Sequence, residues 1–124
     1  MKINTENMTA NVCNISYLTE MVNGKKNLIR EIMDEFCVQI SEELQRINDA
    51  VENTNYQVIK NLAHTMKSTV SIMGVTILTP VLDDMESLSI TANDIEKIKT
   101  LNISLNLICK QIIDEIESIK HKYV

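Results

Sequence analysis

Two glycines and one proline in 124 residues leave this chain few places where it can turn sharply. Tight turns draw on Gly for left-handed backbone and on Pro for a preset φ. An all-β sandwich reverses direction every few residues and is excluded on that count. A nucleotide-binding α/β fold is excluded too, because two isolated glycines cannot build a phosphate-cradling loop. What remains is a small number of long helices. The hydrophobic share of 44% and charged share of 23% are ordinary for a globular protein, so those helices can bury a core. The length suits one domain.

The apolar spacing locates the helices. Met1 to Val12 is rich in Asn and Thr, has no period, and reads as a loose arm, residues 1–12, ahead of a bundle over 13–124. Ile15, Tyr17, Leu18, Met21 and Val22 then form a short first helix, with Ser16 as its N-cap and Asn23-Gly24 as its stop. A long helix over about Lys25 to Asn53 is striped by Ile29, Ile32, Met33, Phe36, Ile40, Leu44, Ile47 and Val51. Thr54-x-x-Gln57 has capping-box spacing and opens a third helix running to about Met73, with Gly74 as a left-handed stop. A fourth covers about Ile77 to Ser89, with Thr76 or Thr79 as N-cap and Pro80 confined to the first turn. Asn93-x-x-Glu96 opens a fifth, which runs to about His121. The pattern predicts an all-α, antiparallel up-and-down four-helix bundle with a short additional N-terminal helix.

Charge and composition narrow the partners. The net charge is −5, and aromatics are 3% with no Trp. Nucleic-acid binding needs a basic stripe or stacking rings, so no nucleic acid is expected. The longest uncharged run, Ser68 to Leu82, is too short for a membrane span, so no direct membrane contact is expected. Cys13, Cys37 and Cys109 are widely spaced, with no CxxC or CxxH. That argues against a zinc site or disulfide framework and for reduced thiols in the cytoplasm. No metal and no cofactor is expected.

One helix face carries the chemistry. Gln57, Lys60, Asn61, His64, Lys67, Ser68 and Ser71 recur at steps of three and four, opposite the core stripe of the third helix. Exposed helical faces usually carry long side chains, yet Ser68 and Ser71 are short and leave the imidazole of His64 uncovered. A Ser-His-acid hydrolase is not indicated, because no turn-borne nucleophile or Gly-rich oxyanion loop accompanies them.

The segment Ala63-His64-Thr65-Met66-Lys67-Ser68-Thr69, followed by Gly74, Leu78, Leu82, Met85 and Glu86, resembles the histidine phosphotransfer (HPt) domain family. The family pattern is similar to A-H-x-L-K-G-S, with a Gly ten residues after the His and a Leu-Glu near the end of the next helix. The resemblance covers about Ile15 to Ser118. Met66 stands where the family has Leu, a neutral exchange in a core. Ser68 stands where the family has Gly, which narrows the approach to the imidazole.

The resemblance implies a phosphorelay intermediate. His64 would take a phosphoryl group on Nε2 from a receiver-domain aspartate or a hybrid histidine kinase. It would pass that group to the receiver domain of a response regulator. Glu86 would accept from Nδ1–H and fix the tautomer. Lys67 would pair with the phosphoryl group, and Lys60 would favour an acidic receiver surface. Docking would be small and transient, around Ser68, Ser71 and Val75 with Leu18, Met21 and Val22 of the first helix, on a monomer. His121, in Lys120-His121-Lys122, reads as an ordinary last-turn residue. The chain would carry phosphate without a nucleotide site, and so not be an enzyme in the usual sense. The alternative is a helical adaptor that binds a receiver, or another signalling partner, without being phosphorylated.

Overall fold

The computed structural model describes residues 12–123. Five α-helices follow one another: α1 Ser16–Met21, α2 Lys26–Glu52, α3 Tyr56–Ser71, α4 Thr79–Ile90 and α5 Ile95–Ile119. A 3-10 turn, Lys120–Tyr123, ends the described chain, and no strand occurs among the described residues. The expected arm over 1–12 lies, except for Val12, outside the described residues.

Helix α2 packs on α3, α3 on α4, α4 on α5, and α5 back on α2. Side-chain pairs fix the directions. Gln39 and Glu43 of α2 meet Thr69 near the end of α3. Asn48 of α2 meets Asn102 and Asn106 of α5, whereas Asp34, earlier in α2, meets Lys120 beyond its end. The contacts between α2 and α5 run backwards along one helix as they run forwards along the other, so these two are antiparallel, and the pairs His64–Glu86 and Lys67–Asp83 show the same for α3 and α4.

The stripe read from the sequence for the long helix faces the core, with Ile32 and Leu44 only half-buried at its edge. Ile29, Met33, Phe36, Ile40, Ile47 and Val51 of α2 are buried, as are Ile59, Leu62, Ala63, Met66 and Val70 of α3. Leu82 and Met85 of α4 and Ile98, Leu105, Ile112 and Ile116 of α5 complete it. Asn48, Asn102 and Asn106 interrupt the apolar seam between α2 and α5. Asn102 and Asn106 both donate to the Asn48 side-chain carbonyl, at 2.8 and 2.9 Å. A one-turn slip would leave these amides unpaired, so the cluster fixes the register.

Four chain reversals share one device. After α1, α2, α3 and α4, the residues Asn23, Thr54, Gly74 and Ala92 take positive φ. The next amide reaches back to the carbonyl five residues earlier: Gly24 to Thr19, Asn55 to Ala50, Val75 to Val70 and Asn93 to Leu88. This is the Schellman closure, which satisfies the last carbonyls of a helix. It explains how a glycine-poor chain turns: three of the four left-handed positions are not glycine.

That device moves the expected caps by one residue. Thr54 is occupied in closing α2, so Asn55 caps α3 and its side chain accepts from the Val58 amide at 3.3 Å. Asp94 rather than Asn93 caps α5, accepting from the Lys97 amide at 3.2 Å. Ser16 is the first residue of α1, its amide bonded to the Asn14 side chain, and Ile15 holds the cap position. Neither Thr76 nor Thr79 caps α4: Leu78 holds that position, without a side-chain bond, and Pro80 sits in the first turn.

The residues ahead of α1 are strapped across one end of the bundle. The Val12 and Cys13 amides donate to the two carboxylate oxygens of Glu115 on α5, at 3.1 and 2.7 Å. The Asn14 amide donates to the Met73 carbonyl, just past α3, at 2.8 Å. Leu18 then drops from α1 into the core.

Candidate functional site

Burying Ala63, Met66 and Val70 turns the opposite side of α3 outward. His64, Ser68 and Ser71 lie there, and the His64 side chain is 72% exposed. Because α4 returns antiparallel, Glu86 near its end comes level with His64. His64 Nδ1 and Glu86 Oε2 are 3.1 Å apart. One turn forward on α3 corresponds to one turn back on α4. There, Lys67 Nζ lies 2.7 Å from Asp83 Oδ1 and 2.8 Å from Glu86 Oε1.

The electrostatics follow from this chain of contacts. The hydrogen bond from Lys67 holds the Glu86 carboxyl below the usual carboxylate range, with help from the Lys67 and His64 charges. Hydrogen bonds to Asp83 and then to Glu86 push the Lys67 ammonium above its ordinary value. Glu86 is therefore a carboxylate at neutral pH and can only accept. For a neutral imidazole, an acceptor at Nδ1 requires the proton there and the lone pair on Nε2. The arrangement presents an exposed, nucleophilic Nε2.

A shallow groove runs beside the imidazole between α3 and α4. Lys60, Asn61, His64, Thr65, Glu86 and Ile90 line it. Ile90 is 65% exposed, an apolar edge that the sequence reading left out of the site. Ser68 and Ser71 are exposed, and the Ser71 hydroxyl donates to the Ser68 carbonyl at 2.7 Å. That hydroxyl is turned back onto its own helix.

The expected docking rim needs two corrections. Leu18 has no exposed surface, because it is the one residue of α1 that anchors the helix to the core. Val75 is 2% exposed. It follows the left-handed Gly74, where a Schellman turn characteristically folds its apolar residue back on the helix, and Val70 is buried with it. Neither side chain can meet a partner. Met21 is exposed and Val22 half-buried, so α1 still offers apolar surface. His121 lies exposed on the terminal 3-10 turn, which packs on α2 and α5.

Sequence reasoning missed two further features. Asp83 has no place in the site read from the sequence, yet it is the nearest partner of Lys67. The antiparallel pairing of α3 and α4 was the signal, since it pairs Lys67 with Asp83 once His64 pairs with Glu86. Glu43 was read as neither core nor site. It is buried, and one of its oxygens accepts from the Gln39 amide at 3.0 Å and the Thr69 hydroxyl at 3.2 Å. This pins the later half of α3 to α2. Among the described residues, no cluster of His, Cys, Asp and Glu is placed to hold a metal ion, and no helix is long and apolar enough to cross a membrane.

A family model described as Hpt domain matches residues 31–120. No curated protein and no solved structure matches the chain.

Proposed function

This chain belongs to the Hpt domain family, which serves histidine phosphotransfer, and we propose on that premise that His64 is the phosphorylated residue. The observation that carries this reading is the Nδ1 contact with Glu86 at 3.1 Å beside an imidazole open to solvent. It supports a fixed tautomer with Nε2 available for attack.

The reaction takes a phosphoryl group from the aspartyl phosphate of a receiver domain. The Nε2 lone pair forms the P–N bond as the P–O bond to aspartate breaks. The electron pair of that bond leaves with the aspartate carboxylate. Positive charge builds on the ring as Nε2 is used, and the Glu86 carboxylate faces it through Nδ1–H. Lys67, one turn along, offsets the charge of the incoming phosphoryl oxygens. The reverse step delivers the group to a second receiver. His64 is acceptor and donor in turn, so the chain acts as a carrier.

The docking surface in this reading is the face carrying Lys60, His64, Ser68 and Ser71, with Met21 and Val22 of α1 at one side. Receiver domains and hybrid histidine kinases are its partners, and encounter is transient, as suits a small interface on a monomer. The three cysteines are free thiols, which supports a reducing, cytoplasmic setting.

The test is transfer from a radiolabelled, phosphorylated receiver domain. The label should move to this chain in a form stable to base and labile to acid, then move on to a second, unlabelled receiver. A chain that binds the receiver yet stays unlabelled is the helical adaptor instead.

A further inference from the structure

Glu86 is the carboxylate that meets His64, yet Asp83 takes the shortest bond that Lys67 makes. Lys67 Nζ stands 2.7 Å from Asp83 Oδ1 and 2.8 Å from Glu86 Oε1, while the second oxygen of Glu86 receives His64 Nδ1. One ammonium is thus shared by two carboxylates, only one of which is needed to orient the imidazole. We propose that Asp83 is a positioning residue that weakens the hold of His64 on its phosphoryl group, by competing with that group for Lys67. This rests on the phosphotransfer reading above and adds to it the residue that sets the balance between the two forms.

The argument is electrostatic. A phosphoryl group on Nε2 adds close to two negative charges at neutral pH. Lys67 is one helical turn away, on a flexible stem, and is the cation already bonded to the Glu86 carboxylate. To pair with the phosphoryl oxygens it must loosen from Asp83. The unphosphorylated state keeps the Asp83–Lys67 bond, and the phosphorylated state gives it up. Asp83 also stays as a negative charge beside a new dianion. Both effects favour the unphosphorylated form. A carrier has to release its cargo, and this pair makes release easier without touching the nucleophile.

The Asp83 side chain is 52% exposed, so neutralising it leaves the core intact. The experiment equilibrates the protein with phosphoramidate at a fixed ratio to ammonium. The P–N bond of the reagent breaks, ammonia is released, and the P–Nε2 bond forms. Phosphohistidine is read by phosphorus NMR. Asp83→Asn should raise the phosphorylation equilibrium constant about two- to five-fold, the range an exposed ion pair supports. Asp83→Glu should return it towards wild type. In a Lys67→Gln background, Asp83→Asn should have a much smaller effect, because only the screened repulsion between Asp83 and the phosphoryl group remains, a result that a general structural role would not give.

An unchanged or lowered constant in Asp83→Asn, with the wild type labelled at His64, overturns this inference and leaves the phosphotransfer reading standing. A rise of the same size in the Lys67→Gln background overturns it too, because the effect would not pass through Lys67. No label on wild-type His64 removes both readings together.

Discussion

Asn14 and Gly74 meet backbone to backbone. The Asn14 amide bonds the carbonyl of Met73, and a Cβ built on Gly74 would run into the Asn14 carbonyl. Gly74 also holds φ +67, which an L side chain adopts only with strain. Gly74→Ala should therefore lower stability by about 2–4 kcal/mol, from strain and steric displacement together. Chemical denaturation checks this. Amide exchange of Asn14 should rise in the same variant, because the strap ahead of α1 is what has to move.

Thr54 takes φ 51 at the end of α2, a β-branched residue in left-handed backbone. Its amide bonds Val51, and no side-chain hydrogen bond of Thr54 is needed for the turn. Thr54→Gly should raise stability by about 0.5–1 kcal/mol, since relief of strain exceeds the added freedom of the unfolded chain. Thermal unfolding should show a higher midpoint. A lower one would mean that the Schellman closure is not what limits this turn.

Glu86→Ala should slow phosphotransfer about 10- to 100-fold without abolishing it, by analogy with the partners that orient metal-bound histidines. The nucleophile remains but loses the acceptor at Nδ1, so the productive tautomer is populated less. Glu86→Gln should retain more activity than Ala, because its side-chain carbonyl can still accept. Rapid-quench rates equal to wild type in the Ala variant would take Glu86 out of the mechanism.

Ser68 borders the approach to His64 on the same face of α3. Ser68→Lys keeps the helix and adds bulk beside the imidazole, so it should lose transfer while its unfolding barely moves. Ser68→Gly should cost roughly 0.5 kcal/mol of helix propensity and be at least as active as wild type. Paired rate and melting measurements check both. A Lys variant that exchanges phosphate at the normal rate would place the receiver's approach elsewhere.

The parts of the fold that depend on period were legible in the sequence. The long helix predicted from Lys25 to Asn53 is Lys26–Glu52 in the structure, because its stripe and its turn residues agree. The caps were less legible. Thr54 and Asn93 carry good capping side chains, but the backbone needs of the preceding helix end displace the cap to Asn55 and Asp94. Leu18 and Val75 were placed on the surface because a short helix and a turn have too few residues to show which side faces inward. The contact of Glu86 with His64 was anticipated from antiparallel return. Asp83 was not, although the same return that brings Glu86 to His64 brings Asp83 to Lys67 one turn on, because the period of neither helix marks it out.

The measurement closest to the central claim is the position of the phosphoryl group on the imidazole. Protein phosphorylated by a receiver domain, with nitrogen-15 in its histidines, can be read by NMR for which ring nitrogen is bonded to phosphorus. Nδ1 is committed to Glu86 at 3.1 Å, so the account predicts a single phosphohistidine, at His64 Nε2, that vanishes in a normally folded His64→Gln variant. Phosphorus on Nδ1, or label on His121 that survives His64→Gln, would contradict it.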